Sequence, residues 1–131
     1  MANPNIVSVT GITAGTLGWN LPTGGLVNLI DPDTGYLLKI NRIVVANVDG
    51  TNAADVDVAV TMAGTPAQTG VTVNTAAATT TYLAKEVEVP ANATLVILDT
   101  PIYLRETDIL KAKAEAVSDL DLFISYEFLI D

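Results

Sequence analysis

The chain contains no cysteine and no histidine. Without cysteine there is no disulfide framework and no thiol nucleophile. Without histidine there is neither a zinc site of the usual ligand set nor an imidazole acid–base pair. Stability must come from packing, and the chain is committed to neither an oxidising nor a reducing compartment. Aromatic residues are also scarce, at 5% of 131 residues with a single Trp, so the core falls to Val, Ile, Leu and Ala. Positive charge is short as well: 6 basic residues stand against 15 acidic ones, for a net charge of −9. Such a surface repels phosphate backbones, and no nucleic-acid partner is expected. Long apolar runs are missing too. Those around Ile43–Val48 and Thr94–Leu98 fall far short of a membrane span, and the opening MANPNIVSV lacks the basic start and apolar stretch of a secretion signal. The expectation is one soluble domain that does not interact with membranes.

What is present is alternation. From Lys39 to Val60 the chain reads KINRIVVANVDGTNAADVDVAV. Ile40, Arg42, Val44 and Ala46 alternate with Asn41, Ile43, Val45 and Asn47. Beyond the polar loop carrying Asp49-Gly50 and Asn52, Val56, Val58 and Val60 alternate with Asp55, Asp57 and Ala59. A period of two over such lengths predicts strands with one face in a core and the other wet. The residues Val, Ile and Leu that dominate these runs suit a pleated surface.

The rest of the chain extends the pattern. Ile6–Thr10 is a short first strand. Gly11–Gly25 is loose, rich in Gly and Thr, and contains Trp19, Pro22 and the Gly24-Gly25 pair. Leu26–Ile30 is a strand before the turn Asp31-Pro32-Asp33-Thr34-Gly35. Tyr36–Asn47 is the longest strand, with Asp55–Met62 as its partner. Gly64–Thr81 is a long Thr/Ala-rich loop with a weak strand at Val71–Val73, and loops of that length usually carry function or pack against something else. Tyr82–Val89, Thr94–Leu98, Ile102–Leu104, Ile109–Ala116 and Leu120–Ile130 complete the set. Ile109–Ala116 has helix-forming residues, but its Lys/Ala/Lys/Ala alternation and β surroundings favour a strand. The sum is an all-β antiparallel β-sandwich, jelly-roll-like, of about eight or nine strands with no substantial helix. It forms a single domain over 1–131, with a flexible N-terminal arm (about 1–27) and a long loop (64–81).

No catalytic set emerges. Glu86 and Glu88 share a strand face, and Asp55 and Asp57 do likewise, but each pair sits opposite valines and is read as a solvated face. Asp31–Gly35 begins like a calcium loop, yet the further ligands and flanking helices of that motif are missing, so it is read as a turn and no metal is expected. Gly24-Gly25 lacks the Lys-Ser/Thr of a phosphate loop and is read as a flexible joint. Ser8, Ser118 and Ser125 have no histidine to activate them. Lys111 and Lys113 point together into water. Lys85 shares parity with Leu83, Val87 and Val89; it either snorkels from the apolar face, the preferred reading, or is buried against a carboxylate at a subunit contact. The expectation is a protein that is not an enzyme and needs no cofactor.

The last strand, LDLFISYEFLID, is apolar on both faces: Leu122, Ile124, Tyr126 and Phe128 on one, Phe123 and Leu129 on the other. A strand hydrophobic on both sides is buried on both sides. In a two-layer sandwich the second face then meets another subunit or protein, or else lies under an extended loop.

Two stretches carry a family resemblance. KINRIVVANVDGTNAADVDVAV and YLAKEVEVPANATLVILDTPIYLRETDILKAKAEAVSDLDLFISYEF resemble small virion structural proteins of tailed bacteriophages, particularly those infecting cyanobacteria. The shared features are an NVDGT-type loop, a VPA(N/D)ATLV corner and an IYL-E-x-D-x-L turn. They cover about half the chain and are structural rather than catalytic. Thr107 stands where Gly is more usual in that turn, implying a turn that does not need positive φ here. The resemblance implies a particle component of the capsid decoration (cement) type. Its partners would be the major capsid protein and itself, as a symmetric homo-oligomer with a trimer as first choice. Its location would be the virion, assembled in the host cytoplasm. On this reading the partner contacts are Trp19, Leu17 and Leu21 in the arm, Val71 and Val73 in the loop, and Phe123 and Leu129 on the last strand. Trp19 is either an anchor for a partner's pocket or a local cap over the sandwich end. The alternatives are a neck, tail or fibre-associated structural protein, and a carbohydrate- or receptor-binding module in which Trp19, Tyr36 and Tyr82 converge.

Overall fold

Alternating apolar residues need two facing surfaces to bury them, and the chain supplies both. The computed structural model describes residues 9–62 and 79–130. It contains nine strands: β1 (Gly11–Asn20), β2 (Val27–Ile30), β3 (Tyr36–Asn47), β4 (Ala54–Thr61), β5 (Thr80–Val89), β6 (Thr94–Leu98), β7 (Ile102–Leu104), β8 (Ile109–Ala114) and β9 (Leu120–Ile130). They form two antiparallel sheets, and no helix occurs among the described residues. The all-β sandwich read from alternation is the observed fold. Residues 6–8 of the expected first strand, and the Val71–Val73 strand with most of its loop, lie outside the described residues.

One sheet has the order β1-β9-β3-β6, with β7 also pairing β3; the other has β2-β8-β4-β5. The pairs β1·β9, β2·β8, β3·β6 and β4·β5 nest one inside the next. That nesting is a long hairpin rolled into two layers, the jelly-roll arrangement. β6 and β7 share one job. β6 pairs with Ile43–Ala46 and β7 with Leu38–Ile40, so together they form one strand interrupted at Asp99-Thr100-Pro101. A proline there costs no ladder bond because the strand is at a sheet margin.

The core lies between the layers. Leu38, Ile40, Ile43, Val45, Leu120, Leu122 and Ile124 from the first sheet meet Val56, Val58, Leu110, Ala112 and Ala114 from the second, and all are buried. Burying each large aliphatic side chain contributes about 1.5–3 kcal/mol. Strict alternation fails once in β3. The pairing with β9 shifts between Ile40 and Arg42, which leaves Asn41 as an extra residue and inverts the parity beyond it. Ile40 therefore faces the core, whereas Arg42, Val44 and Ala46 face outward and Ile43 and Val45 inward.

The expected loose arm is the largest correction. Gly11–Asn20 is a ten-residue strand paired with β9 in unbroken register from Gly11↔Ile130 to Asn20↔Asp121. Its continuation is also fastened: the Leu21 N–H donates to the Leu120 carbonyl at 2.8 Å, and the Ala114 N–H donates to the Pro22 carbonyl at 2.9 Å. The pairing capacity of the long strand β9 overrides the weak strand preference of the three glycines.

Candidate functional site

Two of the motifs that carry the family resemblance come together at one end of the sandwich. Asn47, buried at the end of β3, donates from Nδ2 to the carbonyls of Asn52 and Val89, each at 2.9 Å, and its Oδ1 accepts from the Asp49 N–H at 2.9 Å. The Asn92 N–H donates to the Asp49 carbonyl at 3.1 Å, and the Asn47 N–H to the Ala93 carbonyl at 2.8 Å. The NVDGT loop and the VPANATLV corner are thus one hydrogen-bonded clasp. Asn92 takes φ 58°, a conformation asparagine tolerates better than most residues. Asp49 accepts from the Thr51 N–H at 2.8 Å and from Asn52 Nδ2 at 3.1 Å. Those bonds, the Thr51 N–H foremost, hold its carboxyl below the usual range. The third motif is also self-contained. Buried Asp108 accepts from the Arg105 N–H at 2.9 Å and pairs with its guanidinium at 3.2 Å. Thr107 is not among the residues of positive φ.

The carboxylates of the second sheet gather around a depression of about 240 Å³ lined by Gly24, Asp55, Asp57, Glu86, Lys113 and Glu115. Asp57 was expected in water, but it is only 4% exposed. Register shifts between β4 and β5 set two residues, Lys85 and Glu86, against Asp57. Glu86 takes φ 51°, and its N–H donates to Asp57 Oδ1 at 2.6 Å. Glu86 and Glu88 themselves are exposed, as expected. Lys85 is exposed too, with its ammonium 5.3 Å from the Tyr82 ring centroid. The bulge breaks the parity it appeared to share with Val87 and Val89. Asp57 serves the fold through the Glu86 N–H and Lys113, and Glu115 through the Asp55 N–H at 3.3 Å; no cluster of acidic side chains among the described residues is arranged to hold a metal ion.

The outer face of the first sheet differs in character. The registers Gly18↔Phe123, Phe123↔Val44 and Val44↔Val96 set these four residues side by side across β1, β9, β3 and β6. Phe123 is 47% exposed and Val96 42%. A depression of about 370 Å³ opens beside Gly18 and Phe123, between Trp19, Asn20, Asp121 and Leu122. On the same face Ile12, opposite Leu129, is 65% exposed. The result is an apolar row across four strands with nothing over it among the described residues.

The expected contact residues divide. Phe123 is on this row, and Leu17 is 39% exposed at the open margin of the sandwich. Leu21 is fully buried in the core and cannot meet a partner. Leu129 is 7% exposed, set between Ile12 and Leu37 on the outer face. The second apolar face of the last strand is therefore part covered by the chain itself and part open at Phe123. Trp19 is half-buried against the core and does not stand on a free arm. Val71 and Val73 lie outside the described residues. Gly18, Val44 and Val96 were missed because no spacing along the chain relates them; only strand pairing does. Trp19, Tyr36 and Tyr82 do not converge. Trp19 pairs with Leu122 and Tyr36 with Ile130, about 27 Å apart along β9, and Tyr82 is in the other sheet. Compared with family models, with curated proteins and with solved structures, the chain matches none.

Proposed function

We propose that the protein is a structural component of a bacteriophage virion, a capsid decoration protein that binds the outside of a head between major capsid proteins and reinforces the lattice. The observation that carries this reading is the apolar row Gly18–Phe123–Val44–Val96 on the outer face of the first sheet. The Asn47 clasp and the Asp108 turn bond within the chain, and the apolar row is what the first sheet offers a protein neighbour. Burial of apolar surface, rather than chemistry, is then the mechanism. The sequence motifs agree with it, since they hold loops in shape rather than bind anything. The net charge of −9 keeps an apolar protein soluble before assembly and disfavours DNA.

The first test is the copy number of the protein in purified particles, by quantitative mass spectrometry against the major shell protein. Comparable numbers support decoration. A handful of copies moves the protein to the neck, tail or a fibre, and none at all overturns the virion reading. A second test is the variant Phe123→Asp/Val96→Asp. Both side chains are exposed, so the fold should persist while attachment to heads is lost; attachment that survives would remove this face from the reading.

A further inference from the structure

Each free margin of a sheet presents unpaired N–H and C=O groups, and proteins protect such margins with short strands, bulges, charge or proline. Among the described residues four margins are open, and three are protected. β2 is four residues long, with a register shift between Asn28 and Ile30. β5 has two register shifts, the charges of Lys85, Glu86 and Glu88, and Pro90 at its end. The margin made by β6 and β7 is broken at Asp99-Thr100-Pro101. β1 has none of these devices. It is ten residues long, pairs with β9 without a shift, and contains no charged residue and no proline.

We propose that β1 pairs with β1 of a second copy, antiparallel about a twofold axis at Gly15, joining two first sheets into one continuous sheet. The inference stands on this strand and does not depend on the virion reading. The Leu21 N–H bonds to the Leu120 carbonyl, and the unbroken register carries that phase back along the strand. Trp19, Leu17, Gly15 and Thr13 thus spend their backbone groups on β9, whereas Ile12, Ala14, Thr16 and Gly18 turn theirs outward. An axis at Gly15 sets Ile12 opposite Gly18 of the second copy and Ala14 opposite Thr16. These are bonded pairs, giving about eight new backbone hydrogen bonds.

The side chains select a second copy over another extended segment. Ile12 is the most exposed large apolar residue of the strand, at 65%. Gly18, six positions on, leaves the gap beside Phe123, where a β-carbon at Gly18 would stand 4.0 Å from the Phe123 ring. In the paired form Ile12 of each copy enters the depression at Gly18 of the other and packs beside Phe123. The fit occurs twice because projection and gap are equidistant from Gly15. It also extends the apolar row from one copy into the next. The absence of charge on β1 means that two acidic molecules meet here without like charges opposed.

The cysteine-free chain allows a direct test. The single variants Ala14→Cys and Thr16→Cys are made, since bonded cross-strand pairs lie at separations a disulfide can span. With oxidised glutathione, a mixture of the two should give a disulfide-linked heterodimer, while neither alone cross-links through its own pair. Sedimentation should show wild type at twice the chain mass at micromolar concentration, and Ile12→Lys, altered only on the exposed face, as a folded monomer. Wild type that sediments as a monomer or a trimer overturns the proposal. So does a dimer whose mixed variants fail to cross-link.

Discussion

Asp57 and Lys113 face each other across β4 and β8, with the ammonium 3.4 Å from Asp57 Oδ2. The other carboxylate oxygen accepts the Glu86 N–H at the β5 bulge. One buried side chain thus joins three strands of the second sheet. The backbone bond is the larger contribution, because Lys113 remains one-third exposed and solvent screens the pair.

Asp57→Ala should therefore cost about 2–3 kcal/mol, chiefly because it orphans the Glu86 N–H, with a smaller part from the screened Lys113 pair. Asp57→Asn keeps an acceptor for that N–H and should cost about 1 kcal/mol, close to the cost of Lys113→Met. Urea denaturation of the three variants decides the matter. Equal losses for Asp57→Ala and Asp57→Asn would show that charge, not the bulge bond, is what Asp57 supplies.

Asp49 gives the acid limb of stability a defined contributor. Its folded pKa is depressed by the Thr51 N–H and then by the Asn52 side chain. A depressed carboxyl stabilises the fold above its unfolded value, and the contribution is lost as pH falls through the lower, folded one. The deficit of Asp49→Asn relative to wild type should be largest at neutral pH and shrink as the carboxylates protonate. In wild type, NMR titration should place the Asp49 carboxyl below a model aspartate, and Asn52→Ala should raise it part of the way. A deficit independent of pH would assign the role of Asp49 to shape alone.

Alternation made β3 legible to its first and last residues, because a period of two holds on either side of Asn41 and together the two halves span the twelve positions. It could not reveal the extra residue at Asn41 or the pair Lys85-Glu86, since a bulge is defined by the partner's register. For that reason alternation groups Ile40 with Arg42, Val44 and Ala46, sets Asp57 in water and gives Lys85 the parity of Val87, none of which the paired strands keep. β1 was hidden for another reason: Gly11, Gly15 and Gly18 lower strand preference, and the strand exists through β9. Of the apolar row, Phe123 was visible in the doubly apolar last strand, whereas Gly18, Val44 and Val96 become neighbours only when four distant segments pair.

Gly15 is needed for packing against Tyr126. A β-carbon there would stand 2.6 Å from the Tyr126 hydroxyl and 2.8 Å from the ring carbon bearing it. The Tyr126 ring cannot swing away freely, because it packs edge-on against Phe128 with centroids 5.0 Å apart. Gly15→Ala should destabilise by about 1–3 kcal/mol. In a Tyr126→Leu background the same substitution should cost at least about 1 kcal/mol less, a coupling expected only of residues in contact. Additive losses would mean that β1 or the ring adjusts without strain.

Trp19 decides between an arm and a strand. As an anchor on a free arm, its removal would leave stability nearly unchanged. As a half-buried side chain on β1, opposite Leu122 and packed on the core, its truncation to Ala should cost about 2–4 kcal/mol through lost burial and a poorly filled space. Because it is the chain's single Trp, its fluorescence reports on β1 without labelling. Its unfolding transition should coincide with loss of the β-sheet circular dichroism signal, since β1 supplies one full side of the β9 pairing and unfolds with it. A fluorescence transition at lower denaturant would mean that β1 detaches before the sandwich unfolds, and the strand would then behave as the arm its composition suggested.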